Sequence, residues 1–530
     1  MSFVGTVALL CAWTVATHGE AQQADLVLRN GRIVTVDPQQ PEAQALAVVG
    51  DRIVAVGSDA QIAAYVGKRT NVIDLQQRLA LPGFIEAHSH LLALGEALTT
   101  LDLSSARTWD EVVAMVAKAA RDSKPGEWIL GRNWHHEFWN APPRDAVNGF
   151  PRHETVSAVT PDNPVELTHT NGHATLVNAQ ALRLAGIGRE TPDPQGGEIV
   201  RDAAGMPTGI LRETAQGPVN AAIERYRKQR FGQDLLAETI RYVELGAAEA
   251  LSKGVTSFQD AGSSFETIDL FKQLADQGRL PIRLYVMISW DEPNAVLAEK
   301  LPHYRMVGYG NNRLTVRAIK RGIDGALGTN GAWLLAPYDD KPESTGLARG
   351  SPADIAATAE LAIRHGFQLC THAIGDRANR EVLNIYEQAM GAHPQSKDLR
   401  WRIEHASTVH ESDVPRFTRA GIIASIQGVF ATSDAAWMEE RLGKARAAHE
   451  VYGWRRLWDA GVMLANGTDT PFEAISPIMN FYATATRRTA DGSVFMPEQR
   501  LTREQALRTY TYNNAYAAFE EDQKGTLTPG

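Results

Sequence analysis

Cysteine is nearly absent: Cys11 and Cys370 are the only two in 530 residues. A disulfide scaffold is excluded, because loss of a leader carrying Cys11 would leave no pair to oxidise. Basic tracts are missing as well. The formal net charge is -9, with acidic and basic residues interspersed, so nucleic acid is not an expected partner. Beyond residue 21 no stretch reaches the ~18 consecutive apolar residues that a membrane span requires. No internal repeat or low-complexity tract is visible, which excludes a repeat architecture. Lys and Arg are absent from residues 1–23 too. That lack is atypical of a secretory leader, but apolar Phe3–Ala16 followed by Gly19-Glu20-Ala21 supplies its other features. Residues 1–21 are therefore expected to be a signal peptide and the protein periplasmic or secreted, or cytoplasmic if the segment is retained.

What is present is ordinary globular composition, 44% hydrophobic and 22% charged, in a chain long enough for more than one domain. Residues 22–82 contain short alternating runs, ADLVLRNGRIVTVD, ALAVVGDRIVAVGS and TNVIDL, with Asn30-Gly31 and Gly50-Asp51 as hairpin turns. They predict a small antiparallel β domain. From Gly83 apolar strand-like runs alternate with helical stretches, the mark of a parallel βα array. Eight runs qualify, beginning at Gly83, Gly254, Pro281, Leu314, Phe367, Trp401, Ile422 and Val462. They predict an α/β fold, a (β/α)8 TIM barrel over residues 83–522, with a large insertion at 95–253 after strand one.

In such barrels the chemistry sits at the C-terminal strand ends. Strand one ends in His88-Ser89-His90, strand four in Lys320, strand five in His372, strand six in His405 and strand eight in Asp469. His88 and His90, two residues apart, share one face of a strand and can reach one ion together. Four histidines and a carboxylate suit zinc or a related divalent ion. The bland alternative is a set of packed core histidines. Lys320 is the odd member: a salt-bridged lysine on the plain reading, a carbamate ligand if it loses its proton and adds carbon dioxide.

GFIEAHSH, the lysine after strand four, THAIGDRA, RIEHA and NGTDTP together resemble the motif set of the amidohydrolase superfamily. GRNWHHEFW, NGHATLVNAQAL, PTGILRE and DGALGTNGA resemble, more closely, its N-substituted formamide deformylase-like branch, amidohydrolase family 3. The resemblance implies that His88, His90 and Asp469 hold the more buried metal. It further implies that His372 and His405 hold a second, with carboxylated Lys320 as the bridge. It also implies a β-sandwich completed by a C-terminal segment, of which residues 523–530, ending in KGTLTPG, would be only the start.

The implied activity is metal-dependent hydrolysis of an amide or N-formyl C–N bond, a metal-activated hydroxide attacking the carbonyl and Asp469 carrying the proton to the leaving amine. The resemblance turns His173 toward a small-molecule substrate. Trp134 and His136 are candidates for the pocket mouth, against the reading that a His-His pair decorates a loop, and Arg212 is a candidate for binding a substrate carboxylate. Other readings are a deaminase, esterase or lactonase of the same superfamily, and an exported binding protein that kept the barrel without catalysis. A homo-oligomer is compatible with each.

Overall fold

A computed structural model describes residues 23–530; the expected signal peptide lies outside the described residues. The chain forms two compact units, one running to Pro82 and rejoined by Thr526–Gly530, the other Gly83–Gly525.

The smaller unit holds two β-sheets. One has four strands in the order Arg52–Gly57, Ala45–Val49, Leu26–Arg29 and Asn71–Asp74; the other orders Glu42–Ala43, Arg32–Val34 and Leu79–Ala80. Gly50-Asp51 closes a hairpin, with Val49 paired to Arg52. Asn30-Gly31 does not. Its flanking strands belong to different sheets, so the turn carries the chain from one sheet to the other. Both sheets are mixed: Asn71–Asp74 and Leu79–Ala80 each pair in parallel. The last residues return to this unit, where the Leu527 amide donates to Thr35 O at 2.8 Å and the Gly530 amide to Ile53 O at 2.9 Å.

The larger unit contains the barrel. Its strands are β1 (Phe84–Ser89), β2 (Val255–Ser263), β3 (Arg283–Ile288), β4 (Leu314–Gly322), β5 (Gln368–Ala373), β6 (Arg402–His405), β7 (Ile423–Ile426) and β8 (Leu464–Asn466). Each pairs in parallel with the next. These are the eight runs that the sequence predicts. All six residues of β1 are buried, as a strand covered on both faces requires. The seam between β8 and β1 is joined by backbone bonds just past the strands, Asp469 N–H to His88 O and His90 N–H to Thr470 O, both 2.9 Å. The Asn514 amide reinforces it, donating to Ile85 O of β1 at 2.5 Å and to Asn466 O of β8 at 2.7 Å. Among the described residues no helix is long and apolar enough to cross a membrane.

The insertion after β1 builds a six-stranded sheet from Leu101–Asp102 to Pro207–Glu213. Its core joins Trp109, Val112 and Val116 of helix Trp109–Asp122 to Ile129, Trp134, Leu167 and Ile210. The helix that returns the chain to β2, Leu235–Ser252, packs on Leu91–Ala97. Gly95 permits this: a Cβ there would lie 1.8 Å from Tyr242 O, so only glycine allows the helices so close.

Candidate metal centre

His88 lies in β1 and His90 immediately after it, so alternation along the strand turns both rings to the barrel mouth. His372 lies in β5 and His405 ends β6. His405 (φ 74°) and Asp469 (φ 59°) both adopt left-handed backbone. Non-glycine residues rarely do so, and such strain gathers where side chains must be aimed. At His405 it has a visible result: Glu404 and His405 are consecutive, yet both reach the same cluster.

The cluster is dense. His88, His405 and Asp469 each offer a ligand atom within 4.8 Å of the others. Asp469 Oδ1 is 3.3 Å from His90 Nε2 and 3.5 Å from His88 Nε2. Lys320 Nζ is 3.2 Å from His88 Nε2. The rings of His372 and His405 are edge-on, with centroids 4.5 Å apart. His88, His90, Lys320, His372, His405 and Asp469 all line one cavity of about 390 Å³.

Hydrogen bonds fix the tautomers. His88 Nδ1 donates to Glu404, whose other oxygen is 2.7 Å from Arg402 Nε. His405 Nδ1 donates to Gln427 Oε1 at 2.8 Å. In a neutral ring the proton then sits on Nδ1, and the Nε2 lone pair is free to ligate. Burial, reinforced by Lys320, lowers the His88 pKa to about 4; burial and the neighbouring His88 bring His405 to about 3. Both are neutral at physiological pH. Burial pushes the Asp469 carboxyl up, but His88, His90 and His405 outweigh it and hold it at about 2. Burial also lowers the pKa of Lys320, which is 1% exposed.

A second histidine cluster lies in the insertion. His135, His136 and His169 also place ligand atoms within 4.8 Å of one another, but the tautomers of His135 and His169 are opposite. His135 Nδ1 accepts the Glu137 N–H at 3.2 Å and His169 Nδ1 the Asn171 N–H at 3.3 Å. A ring nitrogen that accepts carries no proton, so in both neutral rings Nε2 is the N–H and has no lone pair to give. Arg441, 3.1 Å from the Glu137 carboxylate, adds positive charge nearby. Trp134 packs edge-on to His169 at 4.8 Å, and His136 Nδ1 and His169 Nε2 are buried without a hydrogen-bond partner, so the tautomers and the added cation, not missing partners, set this cluster apart from the mouth.

The family model for the amidohydrolase family matches residues 71–530. The chain belongs to that family. Protein LONG AFTER FAR-RED 3 of Arabidopsis thaliana is 31% identical over 96% of this chain and 86% of that protein. N-substituted formamide deformylase of Arthrobacter pascens is 28% identical over 96% of this chain and 92% of its own length. Among solved structures, an uncharacterized metal-dependent hydrolase from Pyrococcus horikoshii aligns with a TM-score of 0.73 and 25% identity, covering 95% of both chains. The amidohydrolase is thus an enzyme, a metal-dependent hydrolase of carbon–nitrogen bonds.

Of the residues the sequence nominates for substrate, the amidohydrolase brings His173 to the cavity, its Nδ1 2.7 Å from Glu213 Oε2 and its ring 5.3 Å from that of His372. The others are placed differently. Trp134 is 1% exposed in the insertion core, where its Nε1–H donates to Leu167 O at 2.8 Å. His136 lies in the insertion cluster; its neighbour His135 is the one that lines a side cavity of about 60 Å³ opening at Asp469. Arg212 is spent, its guanidinium bonded to Glu198 and to Thr329 O. Sequence reasoning passed over Glu404, Gln427 and Glu213, the groups that hold His88, His405 and His173. Glu404 stands within RIEHA, where strand alternation sets it opposite His405, and Glu213 ends PTGILRE; Gln427 lies in no quoted motif.

Proposed function

We propose that the amidohydrolase hydrolyses an amide or N-formyl bond of a small molecule at a divalent metal centre, for which zinc is well suited. His88, His90 and Asp469 would hold one ion and His372 and His405 a second, with Lys320 bridging as its carbamate. The observation that carries this reading is the fit of the donors. The tautomers of His88 and His405 leave Nε2 unprotonated beside the anion Asp469, as ligands of a cation require; Asp469 Oδ1 and His372 Nε2 are also buried without a hydrogen-bond partner, a property that His169 Nε2 of the insertion shares. Burial favours uncharged Lys320, the form that adds carbon dioxide. The N-formyl variant of the reading draws on the Arthrobacter relative.

When bound, a divalent ion supplies Lewis-acid polarisation of the carbonyl and lowers the pKa of water. Asp469, ionised at the cavity floor, takes the proton from the attacking water and returns it to the leaving amine. His173, oriented by Glu213, faces the same space and orients the carbonyl or the leaving group. Export through residues 1–21 remains part of the proposal.

Metal analysis combined with an amide, formamide and ester panel tests it. The expected result is bound zinc or manganese and turnover of amides or formamides. Absence of bound metal, together with no amide turnover after either metal is restored, overturns it.

A further inference from the structure

The active cavity holds one arginine among its described lining residues, Arg349, and among the described residues that guanidinium has no hydrogen-bond or ion-pair partner. It follows β4 in the chain and faces both the 390 Å³ cavity and a neighbouring cavity lined by Trp290, Asp291 and Arg321. Its Cζ stacks 4.2 Å from the centroid of the Trp290 ring. The same ring lies 5.8 Å from Lys320 Nζ and edge-on to His372 at 6.3 Å. Arg349 is therefore no farther from Lys320 than the sum of two short steps across one indole. Nearby arginines are engaged: Arg212 with Glu198, Arg402 with Glu404, Arg441 with Glu137 and Asp340, Arg321 with Asn294, Thr358 and four carbonyls. Among the described residues no carboxylate forms an ion pair with Arg349, although its charge helps to hold the Glu213 carboxyl of the same cavity below the ordinary range. The indole holds the cationic carbon over its face and leaves the guanidinium N–H groups unused.

We propose that Arg349 anchors a substrate carboxylate, so that the preferred substrates are amides carrying an acid group a few atoms from the scissile bond, as in N-acyl amino acids. The guanidinium fork matches the two oxygens of a carboxylate, and a prestacked fork loses little entropy in binding it. Glu213 and Asp291 line the same cavity. Their charges disfavour a dianionic phosphate and leave a single negative charge as the better fit.

The proposal rests on the amide reading above, so its test separates the two. N-formylphenylalanine and N-formyl-2-phenylethylamine differ only by the carboxylate. Their binding to the zinc-reconstituted enzyme is measured by calorimetry and their turnover in parallel, for the natural protein, Arg349→Met and Arg349→Lys. The natural protein is expected to bind the acid on the order of 30-fold more tightly, the range of a charge-assisted pair. Arg349→Met should reduce the preference to about 3-fold or less by losing affinity for the acid alone, and Arg349→Lys should retain part of it. Unchanged affinity of the Met variant for the neutral ligand shows that the cavity is intact. A preference without turnover of either compound would support the anchor while counting against the amide reading. No preference in the natural protein, no binding of the acid, or an undiminished preference in Arg349→Met would each overturn the anchor.

Discussion

The two histidine clusters of the larger unit make an instructive pair. Each gathers three groups within the same 4.8 Å, and the histidines of each are held neutral largely by burial. Proximity does not separate them. At the barrel mouth the Nδ1 atoms of His88 and His405 donate to oxygens and release Nε2 as a ligand; in the insertion the Nδ1 atoms of His135 and His169 accept backbone N–H groups and keep the proton on Nε2. The mouth adds the anion Asp469, the insertion the cation Arg441. A metal site is thus specified by the partners of its histidines as much as by the histidines.

The largest effect should come from Asp469, which belongs only to the mouth. Asp469→Asn is expected to lower kcat on the order of 10³-fold, the usual range for a lost general acid–base group. Its loss of metal should be smaller, with activity and metal content measured on one preparation. Next is the tautomer itself. Glu404→Gln lets an amide replace the carboxylate that holds the His88 Nδ1 proton, and metal affinity is expected to fall about 10- to 100-fold in a competition titration. An unchanged affinity would break the comparison at its main point.

The insertion cluster should respond in stability rather than in metal. His169→Gln is expected to leave metal content unchanged and to cost about 1–3 kcal/mol in denaturant unfolding, the scale of a disturbed buried polar group. A smaller, pH-dependent effect sharpens the contrast. Burial holds His169 at about 3, against an ordinary value of 6.5. Between those values the unfolded chain binds the proton and the folded chain does not. Stability contributed by the neutral ring is therefore present near neutrality and lost progressively as the pH falls through that window. Melting of the metal-free protein from pH 7 to 4.5 should decline less steeply in His169→Gln than in the natural chain.

Much of the barrel was legible in the sequence because its signals are local. Buried parallel strands read as short apolar runs, and polar residues where such runs end mark the mouth. His88, His90, Lys320, His372, His405 and Asp469 were nominated in this way, and the cavity collects them all. What was not legible depends on direction and partner. Trp134 and Arg212 have the residue types of a binding site, but one is turned into the insertion core and the other toward Glu198. Glu404 escaped notice because strand alternation points it away from His405, and only the left-handed backbone at His405 reconciles the two. Arg349 had no motif at all. Its relevance comes from Trp290, 59 residues earlier in the chain, whose ring centroid lies 4.2 Å from its Cζ. Asn30-Gly31 signalled a turn correctly, but no local pattern says whether the following strand joins the same sheet.

Metal counting on two variants tests the central contrast most directly. One carries His88→Gln with His405→Gln, the other His135→Gln with His169→Gln; each is saturated with zinc, dialysed, and assayed for metal per folded chain. The account expects the insertion variant to match the natural protein and the mouth variant to lose its metal. Metal lost from the insertion variant, or retained in full by the mouth variant, would contradict it.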